Sequence, residues 1–241
     1  MVMSSCVFAN VEEFRETDPE FAEFFGRFAS EEVPAQSKLD ARTRYMAIVA
    51  TLLGCQGVDE FRAVLPEALD AGLTPSEVKE VIYQGTAYLG IGRTRPFLKA
   101  ANEVFAEKGI SLPLPPASTT TPETRVKAGN DTQIEIFGEV MRGFVENAPE
   151  DRRVINRFLA GNCFGDYYTR KGLTLREREM ITFCYIAAQG GCEPQLIGHA
   201  KGNMNMGNDR EFLLDVVAQC VPYIGYPRSL NAITCINKAA E

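Results

Sequence analysis

The stretch Tyr223-Ile224-Gly225-Tyr226-Pro227-Arg228 has a counterpart earlier in the chain, Tyr88-Leu89-Gly90-Ile91-Gly92-Arg93. Working outward from it, a constant offset of 135 residues aligns residues 54–93 with residues 189–228 without a gap. A repeat of this length is typical of a supersecondary unit that buries its apolar face against a second copy. The sequence therefore predicts two tandem copies of one unit, packed together as a pseudo-dimer.

Both copies carry the signals of helices. Apolar residues recur at helical spacing, and no run shows the alternation and turn residues of a β-hairpin. Thr74-Pro75-Ser76-Glu77 is a capping box with proline in the first turn, and Asn208 to Glu211 is interpreted as a similar helix start. Residues 123–147 predict one long helix and residues 150–168 a second. We predict an all-α fold.

One segment separates the copies. Residues 111–122 contain four prolines with serine and threonine between them, a composition that favours an extended, semi-rigid linker. The predicted organisation is a first repeat with an N-terminal helix over residues 1–110, a linker over 111–122, and a second repeat over 123–241.

Composition excludes several classes of protein. The net charge of −7 and the pI near 5.0 argue against a nucleic-acid or anionic-membrane surface. No apolar run approaches the 18 residues of a membrane span, and residues 1–10 lack the basic start of a signal peptide. The seven cysteines are odd in number and scattered, which favours reduced thiols. We expect a cytoplasmic protein.

The second copy contains the only histidine of the sequence, in Gly190-Gly191-Cys192-Glu193-Pro194-Gln195-Leu196-Ile197-Gly198-His199. If this stretch is helical from Cys192 onward, Cys192, Gln195 and His199 lie on one face. A thiol, an amide and an imidazole in one row predict a site in the second copy.

The order of motifs points to a family. Each copy has Leu-x-x-Arg-x-Arg, an apolar helix and a small-residue break, and the second adds the step Gln195-Leu196-Ile197-Gly198-His199, Gly207 and Tyr-x-Gly-x-Pro-Arg. This pattern resembles the carboxymuconolactone decarboxylase family, whose relatives are the alkylhydroperoxidase AhpD-like proteins. The resemblance covers residues 38–108 and 172–241. It implies an all-α fold assembled into rings, so we expect a homo-oligomer, with a trimer of tandem chains supplying six units.

The redox branch of this family carries Cys-x-x-Cys-x-x-x-His and a glutamate about three turns upstream. Cys192 and His199 match the first and last positions, Gln195 replaces the second cysteine, and Glu179 is the nearest glutamate, one residue out of register. Without a second thiol in the motif, a dithiol cycle cannot close there. The matching positions of the first copy hold Gly57, Glu60 and Val64. We therefore expect one site per chain, built chiefly on the second copy.

The decarboxylase branch implies a small lactone with carboxylate groups as substrate, and neither metal nor cofactor. Such a reaction needs cations for the carboxylates, a donor to the developing oxyanion, and a proton source that titrates near neutral pH. His199 is the candidate acid–base group, with Glu193 or Glu179 to orient it. The candidate substrate ligands are Arg176, Arg178, Gln195, Tyr223 and Arg228, since guanidinium groups bind carboxylates bidentately.

Each candidate also has a structural interpretation. Cys192 beside two glycines suits a core thiol, Arg176 and Arg178 suit ion pairs at a helix start, and Tyr223 suits packing.

Three functions remain open from the sequence. The first is a cofactor-free lyase on a small carboxylated lactone or related acid, the second is a thiol-dependent peroxidase (a peroxiredoxin-like activity) through Cys192 and His199, and the third is a non-catalytic binder of small acids.

Overall fold

A computed structural model describes residues 9–241, and this part of the chain contains helices and no strand. The all-α prediction is confirmed. The α-helices are α1 Ala9–Glu12, α2 Pro19–Arg27, α3 Val33–Ala35, α4 Ala41–Cys55, α5 Val58–Asp70, α6 Pro75–Leu89, α7 Ile91–Glu107, α8 Arg125–Phe137, α9 Glu150–Phe158, α10 Leu175–Gln189, α11 Glu193–Asn205 and α12 Arg210–Ala240. Two π-helical segments, Phe28–Glu32 and Leu159–Tyr168, continue α2 and α9.

Helices α4 and α10 are equivalent elements of the two repeats and form the centre of the molecule. Each begins with a side chain that caps the free backbone amides: Asp40 accepts a hydrogen bond from the Thr43 amide, and Thr174 forms a capping box with Glu177. Both helices are buried along most of their length rather than on one face. They therefore pack against neighbours on several sides, including each other.

The contact between α4 and α10 makes the two repeats one body. The main apolar core combines side chains from both repeats, among them Ile48 and Leu53 of α4 and Ile181 and Tyr185 of α10. Across the same boundary the Tyr185 hydroxyl donates to the carbonyl oxygen of Val81, at 2.5 Å. The two tandem repeats thus pack as a pseudo-dimer with a shared core.

Gly54 permits the close approach of the two central helices. A Cβ added at Gly54 would lie 2.6 Å from the Tyr185 carbonyl oxygen and 2.7 Å from the Ala188 Cβ. We expect Gly54→Ala to lower the free energy of unfolding by about 2 kcal/mol, as overpacking does. Urea unfolding measures this. As a control, Gly198→Ala on the exposed surface of α11 meets no atom within 4 Å and should stabilise by about 0.5–1 kcal/mol. Equal stability of Gly54→Ala and the native protein would contradict this account of the helix crossing.

The proline-rich segment 111–122 runs in extended form over the second repeat. Ala117 accepts a hydrogen bond from the Lys171 amide at 3.0 Å, and the Thr119 hydroxyl donates to the Thr169 carbonyl at 2.8 Å. These bonds fix the segment against the end of the helical segment 159–168.

Two details of the predicted helices are wrong. The long helix over 123–147 ends at Phe137, because Gly138 has a positive φ of 88° that breaks the helical path. The helix start at Asn208 lies one residue later, where Asp209 accepts from the Phe212 amide. Asn208 instead donates to the Arg176 carbonyl and to Asn203.

Within residues 9–241, no helix combines the length and the apolar character needed to cross a membrane.

Candidate functional site

A cavity of about 320 Å³ lies where α6, α8, α10 and α11 meet the helical segment 159–168. This volume suits a small molecule, and most of the wall is apolar or aromatic, as in ligand pockets generally. Helix α6 belongs to the first repeat and the others to the second, so both copies build the cavity. The lining residues are Ala87, Tyr88, Gln133, Phe137, Met141, Leu159, Cys163, Phe164, Ile186, Gln189, Cys192, Gln195 and His199.

Three of the residues predicted from the sequence lie together on this wall. Helix α11 begins at Glu193 with Pro194 in its first turn, and Cys192 is the residue before it. The helical spacing that follows brings Cys192, Gln195 and His199 to the same cavity. Gln195 is exposed at the mouth, whereas Cys192 and His199 are partly buried.

Glu179 holds the imidazole of His199. The Nδ1 atom of His199 lies 2.9 Å from Oε2 of Glu179, a carboxylate that is completely buried on α10. With Glu179 ionised, Nδ1 donates this hydrogen bond, which leaves Nε2 as the nitrogen that can exchange a proton with a ligand. Gly202 makes room for the pair, because a Cβ there would lie 2.4 Å from Oε2 of Glu179.

A chain of hydroxyl groups supports Glu179. The Tyr168 hydroxyl donates to Oε1 of Glu179 at 2.8 Å, and the Tyr88 hydroxyl lies 3.0 Å from that of Tyr168. Burial, followed by nearby negative charge, raises the pKa of both tyrosines well above the usual range, so both remain protonated donors. Thr182 lies 2.7 Å from the Tyr168 hydroxyl and accepts from Gln84 at 2.9 Å. These hydrogen bonds hold the carboxylate of Glu179 in position, and Glu179 in turn holds the imidazole of His199.

Arg178 continues this polar chain away from the cavity. It is fully buried, at 0% exposure, and donates to Gln84 at 2.8 Å, to Glu80 at 3.1 Å and to the Arg170 carbonyl at 2.7 Å. Arg178 does not line the cavity. Its surroundings are those of a buried ion pair that joins α10 to α6.

The other predicted site residues lie elsewhere. Arg176 donates to Asn208 and lies over the Phe212 ring, with its guanidinium carbon 5.4 Å from the ring centroid. Glu193 accepts from Asn231 at 2.9 Å. Tyr223 and Arg228 line a different cavity, of about 420 Å³, between α12 of the second repeat and the first repeat.

That second cavity is equivalent to the first by the internal repeat. Its wall includes Gly57 and Glu60, which occupy the positions of Cys192 and Gln195, and Tyr223, which occupies the position of Tyr88. Where the second repeat has His199, the first has Val64, which is buried. The second cavity therefore lacks the imidazole–carboxylate pair.

The two tandem repeats agree with a comparison of the sequence to known families. The chain matches the model of the Carboxymuconolactone decarboxylase family twice, over residues 19–103 and over residues 155–238. The chain belongs to the carboxymuconolactone decarboxylase family. Over 102 residues it is 31% identical to the 4-carboxymuconolactone decarboxylase of Acinetobacter baylyi, an alignment that spans 42% of this chain and 76% of that protein.

Among the cavity residues of this carboxymuconolactone decarboxylase family member that the sequence pattern did not single out, Gln133 is the one with an unsatisfied polar group. Gln133 of α8 is completely buried, its Nε2 has no hydrogen-bond partner among the described residues, and its Oε1 accepts from Asn130 at 3.3 Å. A buried amide without a partner is costly, so a ligand acceptor in the cavity would satisfy it. The signal was present, since Gln133 is four residues before Phe137 and thus shares the apolar face of that helix.

Aromatic rings confine His199. The rings of Tyr88 and Phe137 meet the imidazole edge to face, each with centroids 5.5 Å apart. Cys163 lies on the same wall, and burial raises the pKa of its thiol to about 12. The imidazole is thus held on two sides by rings and on a third by Glu179.

The wall of the His199 cavity contains no guanidinium or ammonium group among residues 9–241. Arg93 connects to it indirectly, by donating to Gln189 at 2.8 Å, and Gln189 in turn donates to the Cys192 sulfur at 3.2 Å. In the same part of the chain, no three His, Cys, Asp or Glu side chains are placed to hold a metal ion. The chemistry available in the cavity is that of an imidazole, three amides, two thiols and a phenol.

Proposed function

We propose that this member of the carboxymuconolactone decarboxylase family is a cofactor-free lyase acting on a small carboxylated lactone or a related acid in the His199 cavity. The observation that carries the proposal is the His199–Glu179 pair, with Nδ1 engaged at 2.9 Å and the ring at the wall of a cavity of about 320 Å³. Family membership and the likeness to a 4-carboxymuconolactone decarboxylase support it.

The reaction would proceed in two steps. The bond between the substrate carbon and its carboxylate breaks, CO₂ leaves, and the electron pair moves into the lactone carbonyl as a dienolate. The protonated Nε2 of His199 then delivers a proton to carbon, and the neutral imidazole regains one from water. Glu179 stabilises the imidazolium form that donates, and Tyr168 holds Glu179 in place.

The apolar wall assists the first step. A carboxylate placed against Phe137, Phe164 and Ile186 loses part of its hydration, and the described part of the chain places no cation on the wall to replace it. The transition state spreads the negative charge over a larger conjugated system, so it suffers less from the dry surroundings. Gln133 Nε2, which has no protein partner among residues 9–241, is placed to donate to an oxygen of the substrate.

The test is the loss of ultraviolet absorbance of 4-carboxymuconolactone on addition of the full chain, with CO₂ release measured in parallel. Turnover with stoichiometric CO₂ supports the lyase. Saturable binding of the lactone without turnover would overturn the lyase and leave the third function, a binder of small acids.

The thiol-dependent alternative rests on Cys192, whose sulfur accepts a hydrogen bond from Gln189 and which shares the cavity with Cys163. Closing a peroxidase cycle would require a second thiol to attack oxidised Cys192. Because burial raises the pKa of Cys163 to about 12, very little of it is thiolate at neutral pH. We therefore favour the lyase, and peroxide consumption lost in Cys192→Ser would reverse this preference.

We expect Gln133→Leu to raise KM about 10-fold, the value of one lost hydrogen bond, with a smaller change in kcat. The same change removes a buried amide that lacks a partner, so the free energy of unfolding should not fall. Steady-state kinetics and urea unfolding on the same preparations measure both. An unchanged KM would show that the substrate does not contact Gln133.

A further inference from the structure

A separate cavity of about 660 Å³ lies between α6, the linker and the segment 170–172. It shares no lining residue with the His199 cavity. The lining combines the apolar linker residues Leu112, Leu114 and Pro115 with ionisable side chains of α6 and of the segment 170–172. The reaction proposed above does not use this cavity.

Lys79 of α6 is the unusual residue of this wall. Only 6% of it is exposed, its Nζ donates to Asn102, and Nζ lies 5.6 Å from the centroid of the Phe105 ring. No carboxylate of the described chain forms an ion pair with Lys79. Burial lowers the pKa of Lys79, because removing the ammonium from water disfavours its charged form. A buried ammonium with one hydrogen bond has two further donors to satisfy.

The one carboxylate on this wall cannot serve Lys79. Glu80 accepts two hydrogen bonds from Arg170, at 2.8 and 3.1 Å, and a third from Arg178, at 3.1 Å. Two guanidinium groups therefore already compensate its charge. The lining contains three cations, Lys79, Arg170 and Lys171, and Glu80 is its only anion. In a chain with net charge −7, this is a local excess of positive charge.

We propose that this cavity binds a small anion with one carboxylate or phosphate group. The anionic group pairs with the Lys79 ammonium, the exposed Lys171 lies at the mouth, and an apolar body of the ligand packs on Leu112, Leu114 and Pro115. The ligand supplies the negative charge and the hydrogen-bond acceptors that the protein does not provide to Lys79.

The experiment uses the full chain with two probes, sodium benzoate and inorganic phosphate, titrated by calorimetry and by thermal unfolding. We expect saturable binding of at least one probe and a rise of Tm with its concentration. Tighter benzoate binding identifies a carboxylate ligand, and tighter phosphate binding a phosphate ligand. The His199→Gln variant should bind the probes as the native protein does, which separates this cavity from the other one.

The decisive variant is Lys79→Met, which keeps the length of the side chain and removes the charge. We expect at least about a 10-fold loss of affinity, the loss of the anion-dependent rise in Tm, and a higher Tm without ligand. Lys99→Met is the control, since Lys99 is exposed and pairs with Glu103, and it should match the native protein. If Lys79→Met does not fold, Lys171→Met should still weaken binding about 2- to 3-fold. Affinity unchanged in these variants, or no saturable binding by the native protein, would overturn the proposal.

Discussion

Replacing His199 with glutamine is expected to lower kcat for lactone decarboxylation by about 10²- to 10⁴-fold, the usual contribution of a positioned acid–base group. Glutamine retains polarity and approximate size but cannot transfer a proton to carbon. Because the rest of the cavity wall is unchanged, KM should change much less than kcat. Initial rates by ultraviolet absorbance measure both constants.

The controls separate proton transfer from structure. Thermal unfolding should show that His199→Gln still folds. Glu179→Gln should also lower kcat, by a smaller factor, because the imidazole stays in the cavity without the carboxylate that orients it. A His199→Gln enzyme with more than half of the native kcat would mean that another group or a water molecule protonates the dienolate, and His199 would lose its assigned role.

The largest effect on stability is expected for Arg178→Met, a loss of about 3–5 kcal/mol in the free energy of unfolding. The change removes the hydrogen bonds that Arg178 donates to Gln84, to Glu80 and to the Arg170 carbonyl in a fully buried site. Arg170 is then the only one of the two arginines that still pairs with Glu80. Urea unfolding measures the loss. The double variant Arg178→Met/Glu80→Gln should recover part of it, because the buried carboxylate is then neutral.

An exposed arginine gives the matched comparison. Arg142 pairs with Glu139 on the surface, and Arg142→Met should change the free energy of unfolding by less than about 1 kcal/mol. The same variants test the sequence-based prediction that Arg178 binds substrate. If Arg178→Met were as stable as the native protein and its KM were strongly raised, the buried ion pair would not be its main role.

Local signals explain which parts of the fold were predictable. The capping box at Thr74 and Glu77 specifies a helix start from four adjacent residues, and the structure has it. The helix over 123–147 was predicted too long, because residues beyond Gly138 keep apolar spacing although the backbone turns there. Spacing alone does not report a positive φ.

The residues of the candidate site also fall into those that local spacing predicts and those that depend on tertiary packing. Gln195 and His199 lie on α11 and Cys192 immediately precedes it, so their common placement could be predicted from local spacing. The contribution of Tyr88 depends on how distant helices meet, which no local pattern contains, whereas Gln133 shares a helix face with Phe137. Arg178 illustrates a further limit, because an arginine in the first turn of a helix can point to a ligand or into the core, and only the position of Glu80 decides.

The crossing of α4 and α10 has a consequence for folding during synthesis on the ribosome. Leu53 and Tyr185 belong to one core although more than a hundred residues separate them in the chain. Contacts between residues so far apart in the chain form slowly, because a long loop must close before the apolar side chains are buried. Helix α4 is apolar around most of its surface, and during synthesis it lacks its packing partner until α10 has left the ribosome. In that interval the first repeat has an incomplete core, and the nascent chain is open to aggregation and to binding by chaperones.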